Sequence, residues 1–346
     1  MHLPTHFNPL HKKNNGKDRF RQASNNRRSF SKAGIVLFLA IILIFPAASY
    51  QGAKKGLLLW FNTVLPTLLP FIIVSNLIIG LQITKPLSKL LYPIFHLLFG
   101  ISKGGCYPVL MGFLSGIPVG ARSVADLVNQ GSVDEDEGQY LIGFCNNASP
   151  MFIMSYIAIS QLRLPEIRFA LLLIIYMSGI ISAFLYFRLL PNRNNRGNAL
   201  SIMEFGQSKI RRYNREIPKF DFSLLDAAIM NGFEIITKVG GYIILFSIPV
   251  QIISGLGNDN YIKFLLIGIL EITTGINKIS QSSLDMGTKI AFITMLTAFG
   301  GLSGVAQTKS VINSTRLSIV TYIKSKLLHM AIAFILTVIY IQLVLY

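Results

Sequence analysis

Glu271 stands six or more residues inside an apolar stretch and is followed by Thr273, Thr274, Gly275 and Asn277. A carboxylate that deep in hydrophobic sequence is costly, and by default it is a proton relay, an ion ligand or the partner of a buried cation. Arg122 closes the segment Gly116-Ile117-Pro118-Val119-Gly120-Ala121. Its guanidinium could grip a carboxylate with two parallel hydrogen bonds. It could equally be a cation reaching from a segment end toward water, or the salt-bridge partner of Glu271. Asn146, Asn147 and Ser149 precede Pro150 and can bond a polar solute or tie helices together; Gly300, Gly301, Ser303 and Gly304 can present backbone groups to a ligand or permit tight packing. The candidate substrate-binding set is therefore Gly116, Pro118, Gly120, Arg122, Asn146, Asn147, Ser149, Glu271, Thr273, Thr274, Gly275, Asn277, Gly301 and Ser303.

Other chemistries lack a constellation. His2, His6 and His11 lie in the N-terminal tail without an HExxH context, and His96 and His329 stand alone in the sequence. No Walker loop or paired carboxylates occur, and Cys106 and Cys145 form no CxxC. No catalytic residue, metal site, cofactor or enzymatic activity is expected. Asp134 to Glu137 read as a solvated turn, and Asp226, Glu234 and Lys238 as a polar stripe on one helical face.

The elements that must carry these residues are membrane helices. The 346 residues are 52% hydrophobic and only 14% charged, with a mean hydropathy of +0.54, whereas soluble domains carry about 25% charge. Segments 57–81 and 167–190 are long and apolar enough to cross a bilayer, and no alternating pattern suggests a barrel. The expected class is all-α and polytopic, in contact with a lipid bilayer. A first membrane helix is placed at 33–50, 57–81 is expected to kink at Pro66 and Pro70, 87–101 suits the interface, and 107–128 and 261–280 re-enter without crossing. Helices 139–160, 167–190, 225–253, 288–311 and 317–345 complete an estimate of seven crossings.

Charge orients them. Of 32 Lys and Arg, eight lie in the tail 1–32 and seven between 191 and 219. Such clusters mark cytoplasmic segments, and with no recognition motif beside them the net charge of +17 is not read as nucleic-acid binding. The same rule puts Lys85, Lys89, Lys103, Arg316, Lys324 and Lys326 on the cytoplasmic side, with Lys54 and Lys55 against it. The organisation is thus a basic tail (1–32), a first helix (33–50), one repeat (51–190), a basic loop (191–221) and a second repeat (222–346). Gly112 with Gly120 matches Gly268 with Gly275, and Asn146 to Ser149 falls opposite Gly300 to Ser303, at offsets of 156, 155 and 154 residues. Two similar halves entering from opposite faces would make an inverted repeat, with binding at broken helices near the midplane.

The stretch Gly112-Phe-Leu-Ser-Gly-Ile-Pro-Val-Gly-Ala-Arg122, then Asn146-Asn-Ala-Ser-Pro-Met-Phe152, with Glu271, Thr273 and Gly275 later, resembles the sporulation integral membrane proteins of the YlbJ (SpoVV) type. Trp60-Phe-Asn-Thr-Val-Leu-Pro66-Thr-Leu-Leu-Pro70-Phe is similar to the family's opening. The resemblance implies a transporter with repeats of the nucleoside-recognition (Gate) superfamily, active at the outer forespore membrane. Its implied cargo is an anionic small molecule, dipicolinate, moved from mother cell toward forespore. A nucleoside-like solute or an ion, or a scaffold or sensor that transports nothing, are the alternatives; a homo-oligomer and sporulation-membrane partners are left open.

Overall fold

The computed structural model describes residues 32–189 and 221–345. Nearly all of the basic tail and basic loop lie outside the described residues. The described chain is helical, without a strand, and its described residues fall into two units that divide between Tyr50 and Gln51. In the first unit, helix α1 covers Lys32–Ile44.

Helix α2 then runs from Pro46 to Gly80 without interruption, so the sequence-based end at residue 50 moves back to Phe45. Pro46 opens α2 at its first turn, where a missing N–H removes nothing the helix would use. Lys54 and Lys55 are consequently helical, not part of a connecting loop. A wide π turn at Trp60–Val64, in which the Leu65 amide bonds the Trp60 carbonyl, immediately precedes Pro66.

Helix α3 (Thr84–Phe99) leaves Leu90, Ile94, Leu97 and Leu98 exposed, as an interfacial helix would. Helices α4 (Cys106–Ser115) and α5 (Val119–Asn129) pack on each other as a hairpin. Helix α6 (Glu135–Cys145) is followed after a break by α7 (Phe152–Gln161), then by α8 (Arg168–Phe184). The second half repeats this order. Helix α9 (Phe222–Ser254) opens it, α10 (Tyr261–Leu270) and α11 (Ile272–Ser280) form a hairpin, α12 (Met286–Phe299) breaks into α13 (Gly301–Ile312), and α14 (Ile319–Tyr340) closes it. The corresponding openers α2 and α9 pack together, and so do the closers α8 and α14.

Five helical stretches among the described residues are long and apolar enough to span a membrane: Pro46–Gly80, Pro165–Phe187, Phe222–Ser254, Met286–Ile312 and Ile319–Val344. The sequence estimate of seven differs by two segments. Helix α1 is short, and residues 135–161 are interrupted. Leu90, Leu97, Leu173 and Leu343 are among many large apolar side chains left exposed, which is the surface a bilayer covers. The protein is an integral membrane protein.

Each interrupted span bridges two apolar cores. One core gathers Val109, Val124, Leu141 and Phe144 with Val305 and Ile312 of α13. The other gathers Ile153 and Ile157 of α7 with Phe264, Ile276 and Ile290 of α12. Thus α6 belongs to the first core and α7 to the second, while α12 and α13 divide the other way round. The connections follow suit. Asn129 bonds Ser314 (2.9 Å) and Gln139 bonds Ser318 (2.6 and 3.2 Å), gathering the first hairpin's mouth with the α13–α14 connection. Gln161 accepts from Asn277 and Ser280 (3.1 Å each), gathering the second hairpin's mouth with the α7–α8 turn. Because α6 and α7 run on rather than folding back, the two mouths lie at different ends of the bundle.

Candidate transport cavity

Glycine and proline set the first interruption. Gly116 adopts a left-handed φ of +74°, and the Ile117–Pro118 peptide turns the chain before α5 begins at Val119. The second interruption ends α6 at Cys145 and leaves residues 146–149 without regular structure. The third is Glu271, extended between α10 and α11. The fourth is Gly300, at φ +83°, between α12 and α13. All four interruptions expected from the sequence are present.

They meet at one cavity of about 90 Å³. One water needs roughly 10–15 Å³ by such a measure, so the space can hold several waters or a small solute. Ser115 and Ile117 come from the first interruption and Ala148 and Ser149 from the second. Glu271 and Thr273 come from the third, Gly300, Ser303 and Gly304 from the fourth, and Gln307 from α13. Helices α2 and α9 supply an apolar wall that includes Phe71, Ile72, Ile236 and Ile243.

Glu271 is 1% exposed. Its Oε1 accepts from the Thr273 amide (3.1 Å) and its Oε2 from the Thr274 amide (2.6 Å), capping the first turn of α11. Ser303 Oγ donates to Oε1 at 3.5 Å. The carboxylate thus occupies the anion-attracting end of α11, which a solute would otherwise meet as bare amides. Tyr156 donates to the Thr273 carbonyl (2.7 Å), tying α7 to the same turn.

Four of the sequence-expected site residues line the cavity: Ser149, Glu271, Thr273 and Ser303. The others surround it or lie away from it. Gly116, Pro118 and Gly301 shape the interruptions. Gly120 and Gly275 let the hairpins close, Gly120 against Gly112 and Gly275 against Gly268. Thr274 turns its hydroxyl to Ser247 on α9 (2.8 Å), and Asn277 bonds Gln161 at the second hairpin's mouth. Asn146 is fully committed within the protein. It accepts from the Ala121 amide (3.2 Å) and donates to Thr308 Oγ1 (2.9 Å) and Tyr322 OH (3.0 Å). Arg122 is exposed, lines no part of the cavity and makes no salt bridge with Glu271. The cavity lining contains one carboxylate and no cation.

Three sequence readings change. Lys326, counted as a cytoplasmic cation, is 1% exposed and donates to Asn147 Oδ1 at 2.6 Å. His329 is not isolated, since its ring lies 3.4 Å from Lys326 Nζ and bonds the Ile175 carbonyl at 2.9 Å. Glu137 is not a solvated turn residue: it accepts from the Ser102 amide (2.7 Å) while Asp134 caps α6. Lys326 was missed because only the packing of α14 on α8 and on the α6–α7 break encloses it. The pair Glu234 and Lys238 is an exposed ion pair, as a polar stripe would be. Cys106 and Cys145 are free and buried.

No family model matches the chain, and no solved structure matches it significantly. It is 25% identical over 336 residues to the sporulation integral membrane protein YlbJ of Bacillus subtilis (strain 168), and the match covers 86% of this chain and 78% of that protein. The chain is thus similar over most of its length to a sporulation integral membrane protein, and its own fold carries the apolar spans of an integral membrane protein.

Proposed function

We propose that the protein is a membrane transporter of a small carboxylate-bearing ring compound, with dipicolinate moving from mother cell toward forespore as the first cargo to test. One observation carries this reading: four helix interruptions open onto a single polar-and-apolar cavity. In a bilayer, backbone that leaves its helix persists only where protein or a watery cavity satisfies it. Broken helices meeting at one cavity are how many secondary transporters build a substrate site.

The lining narrows the form of the cargo. Arg122 is too exposed to clamp a buried carboxylate, and Glu271 would repel a bare dianion. A dicarboxylate would therefore enter with its charge compensated, protonated or paired with a cation. Its ring would lie against Phe71 and Phe152, and its oxygens would bond Ser149, Thr273, Ser303 and Gln307. The neutral hydroxyl and amide groups of the same lining favour a second reading, a nucleoside-like solute.

This reading includes Gate-type repeats related by inversion, the outer forespore membrane as location and a cytoplasmic N-terminus. Hairpin mouths at different ends suit alternating access, one hairpin and its interrupted span giving way at a time. Purified protein in liposomes should exchange labelled dipicolinate by counterflow above protein-free vesicles, with uridine run beside it. Exchange of uridine alone would select the second reading. No exchange of either, together with stable co-purification of another membrane protein, would point to a scaffold instead.

A further inference from the structure

Lys326 is buried in α14 without an acidic partner. Among the described residues it forms no ion pair, although an unpaired ammonium in a low-dielectric interior is strongly disfavoured. Its surroundings are arranged to hold a proton rather than a salt bridge. The Ile175 carbonyl on α8 can only accept, so His329 carries its hydrogen on Nε2 and turns the lone pair of Nδ1 toward Lys326 Nζ. Asn147 donates through Nδ2 to the Phe144 carbonyl (2.9 Å), which leaves its Oδ1 facing the same Nζ. The Tyr322 ring lies 5.8 Å from Nζ.

The other groups near Lys326 are named easily. On its own helix they are His329 and Tyr322. From α6 comes the buried Cys145 thiol. From α8 comes the Ile175 carbonyl, through His329, and the neutral Ser182 hydroxyl bonds the carbonyl of the preceding residue, Ser325, at 3.0 Å. From α13 comes the Thr308 hydroxyl, through Asn146. Among the described residues no ion pair joins α12 to the cluster.

The cluster is one residue away from the cavity wall. The main-chain carbonyl of Asn147 accepts from the Ile117 amide at 2.9 Å, joining the first two interruptions. Ile117 lines the cavity, and so do Ala148 and Ser149, which follow Asn147. Gain or loss of a proton at Nζ changes its bond to Asn147, and Asn147 holds both the 146–149 strand of chain and Ile117 in place.

We propose that Lys326, held by Asn147 and His329, is the proton-binding site that couples cargo movement to a proton gradient. The proton sits on Nζ and is shared toward Nδ1 of His329. Its release leaves a neutral amine, so the empty cavity turns back without an unpaired charge in the interior, whereas the proton crosses only with cargo. This inference rests on the transport reading above and adds its coupling ion.

The test uses purified full-length protein in liposomes with labelled dipicolinate. Counterflow at equal pH on both sides measures transport alone. Accumulation against an imposed pH gradient measures coupling. One proton per cargo gives about tenfold accumulation per pH unit. Lys326→Met should retain counterflow and lose this accumulation, and a dye trapped inside should report no proton entry when cargo is added. Lys326→Gln, whose amide can still donate to Asn147, gives the same reading should the Met variant fail to fold. Gradient-driven accumulation that survives in a folded neutral variant overturns the site. Wild-type counterflow without gradient-driven accumulation overturns proton coupling and leaves transport standing. Absence of counterflow in the wild type removes the transport reading, and this inference with it.

Discussion

A methyl group added to Gly275 would come within 2.5 Å of the Gly268 Cα, across the second hairpin. The first hairpin holds the same relationship, where a methyl on Gly120 would meet Gly112 Cα at 2.9 Å. Two residues seven or eight apart approach so closely only when the chain has doubled back between them. These two glycine pairs, 156 and 155 residues apart in sequence, give the two halves a common physical device. Each hairpin brings its turn into the bundle without room for a side chain between its arms.

Replacing Gly275 by Ala should therefore open the second hairpin. The contacting atom is backbone, which cannot rotate away, and the cost is about 3 kcal/mol. The measurement is thermal unfolding in detergent. Gly241→Ala is the matched control, because nothing lies within 4 Å of its added methyl in α9. That control should change stability by less than about 1 kcal/mol, toward greater stability. Equal loss in both variants would mean that close hairpin packing is not the reason for glycine at position 275.

Glu271 caps α11 and, under the proposed function, also acts in transport; two substitutions separate these roles. Glu271→Gln keeps one carbonyl oxygen to accept from the α11 amides and removes the charge. It should fold while counterflow falls at least about tenfold, or ~1.4 kcal/mol in the rate-limiting barrier. Glu271→Ala removes both cap bonds and should also lose about 1–2 kcal/mol of stability. Undiminished exchange in the Gln variant would take the carboxylate out of the transport cycle.

The four interruptions were legible in sequence because each is written in residues with a backbone consequence: Gly116 with Pro118, Asn146 with Pro150, Glu271 between helical segments, and Gly300 with Gly301. What sequence could not supply was direction. Arg122 follows Ala121, which is fully buried, yet a rotation of one residue along α5 turns its side chain out of the bundle. Lys326 has the opposite history. Close to Lys324 and near the start of α14, it reads as a flanking cation, and only the packing of α8 against α14 shows it enclosed. Periodicity also misplaced the first helix end, since an uncharged window stops at the lysines of α2 although the helix itself continues through them.

These directions reverse the expected ranking of two polar residues. Asn146 makes three bonds inside the protein, each worth about 0.6 kcal/mol between membrane helices. Asn146→Ala should then lower stability by about 2 kcal/mol. Arg122→Ala should change stability by less than about 0.5 kcal/mol, and leave the concentration dependence of exchange within about twofold, since its side chain is exposed and outside the cavity. Unfolding curves and counterflow on the same preparations decide the matter. A large transport defect in the Arg122 variant with normal stability would place the guanidinium on the cargo's route.

The last prediction concerns sidedness. Ser132 and Asn313 are exposed and belong to the end gathered by the Asn129–Ser314 and Gln139–Ser318 bonds. Glu166 and Ser283 are exposed near the other end, close to the Gln161 bonds with Asn277 and Ser280. Positive-inside counting puts the tail and the loop at 191–219 in the cytoplasm. Tracing the spans from there assigns Ser132 and Asn313 to the cytoplasmic face and Glu166 and Ser283 to the opposite one. Single cysteines at these four positions, expressed in a bacterial inner membrane, provide the measurement. The native Cys106 and Cys145 are buried and form the unlabelled background. An impermeant maleimide should label positions 166 and 283 in intact spheroplasts, and positions 132 and 313 only after the membrane is opened. If all four label from one side, the hairpins enter from the same face, and a cavity reached alternately from two faces has no route to the second.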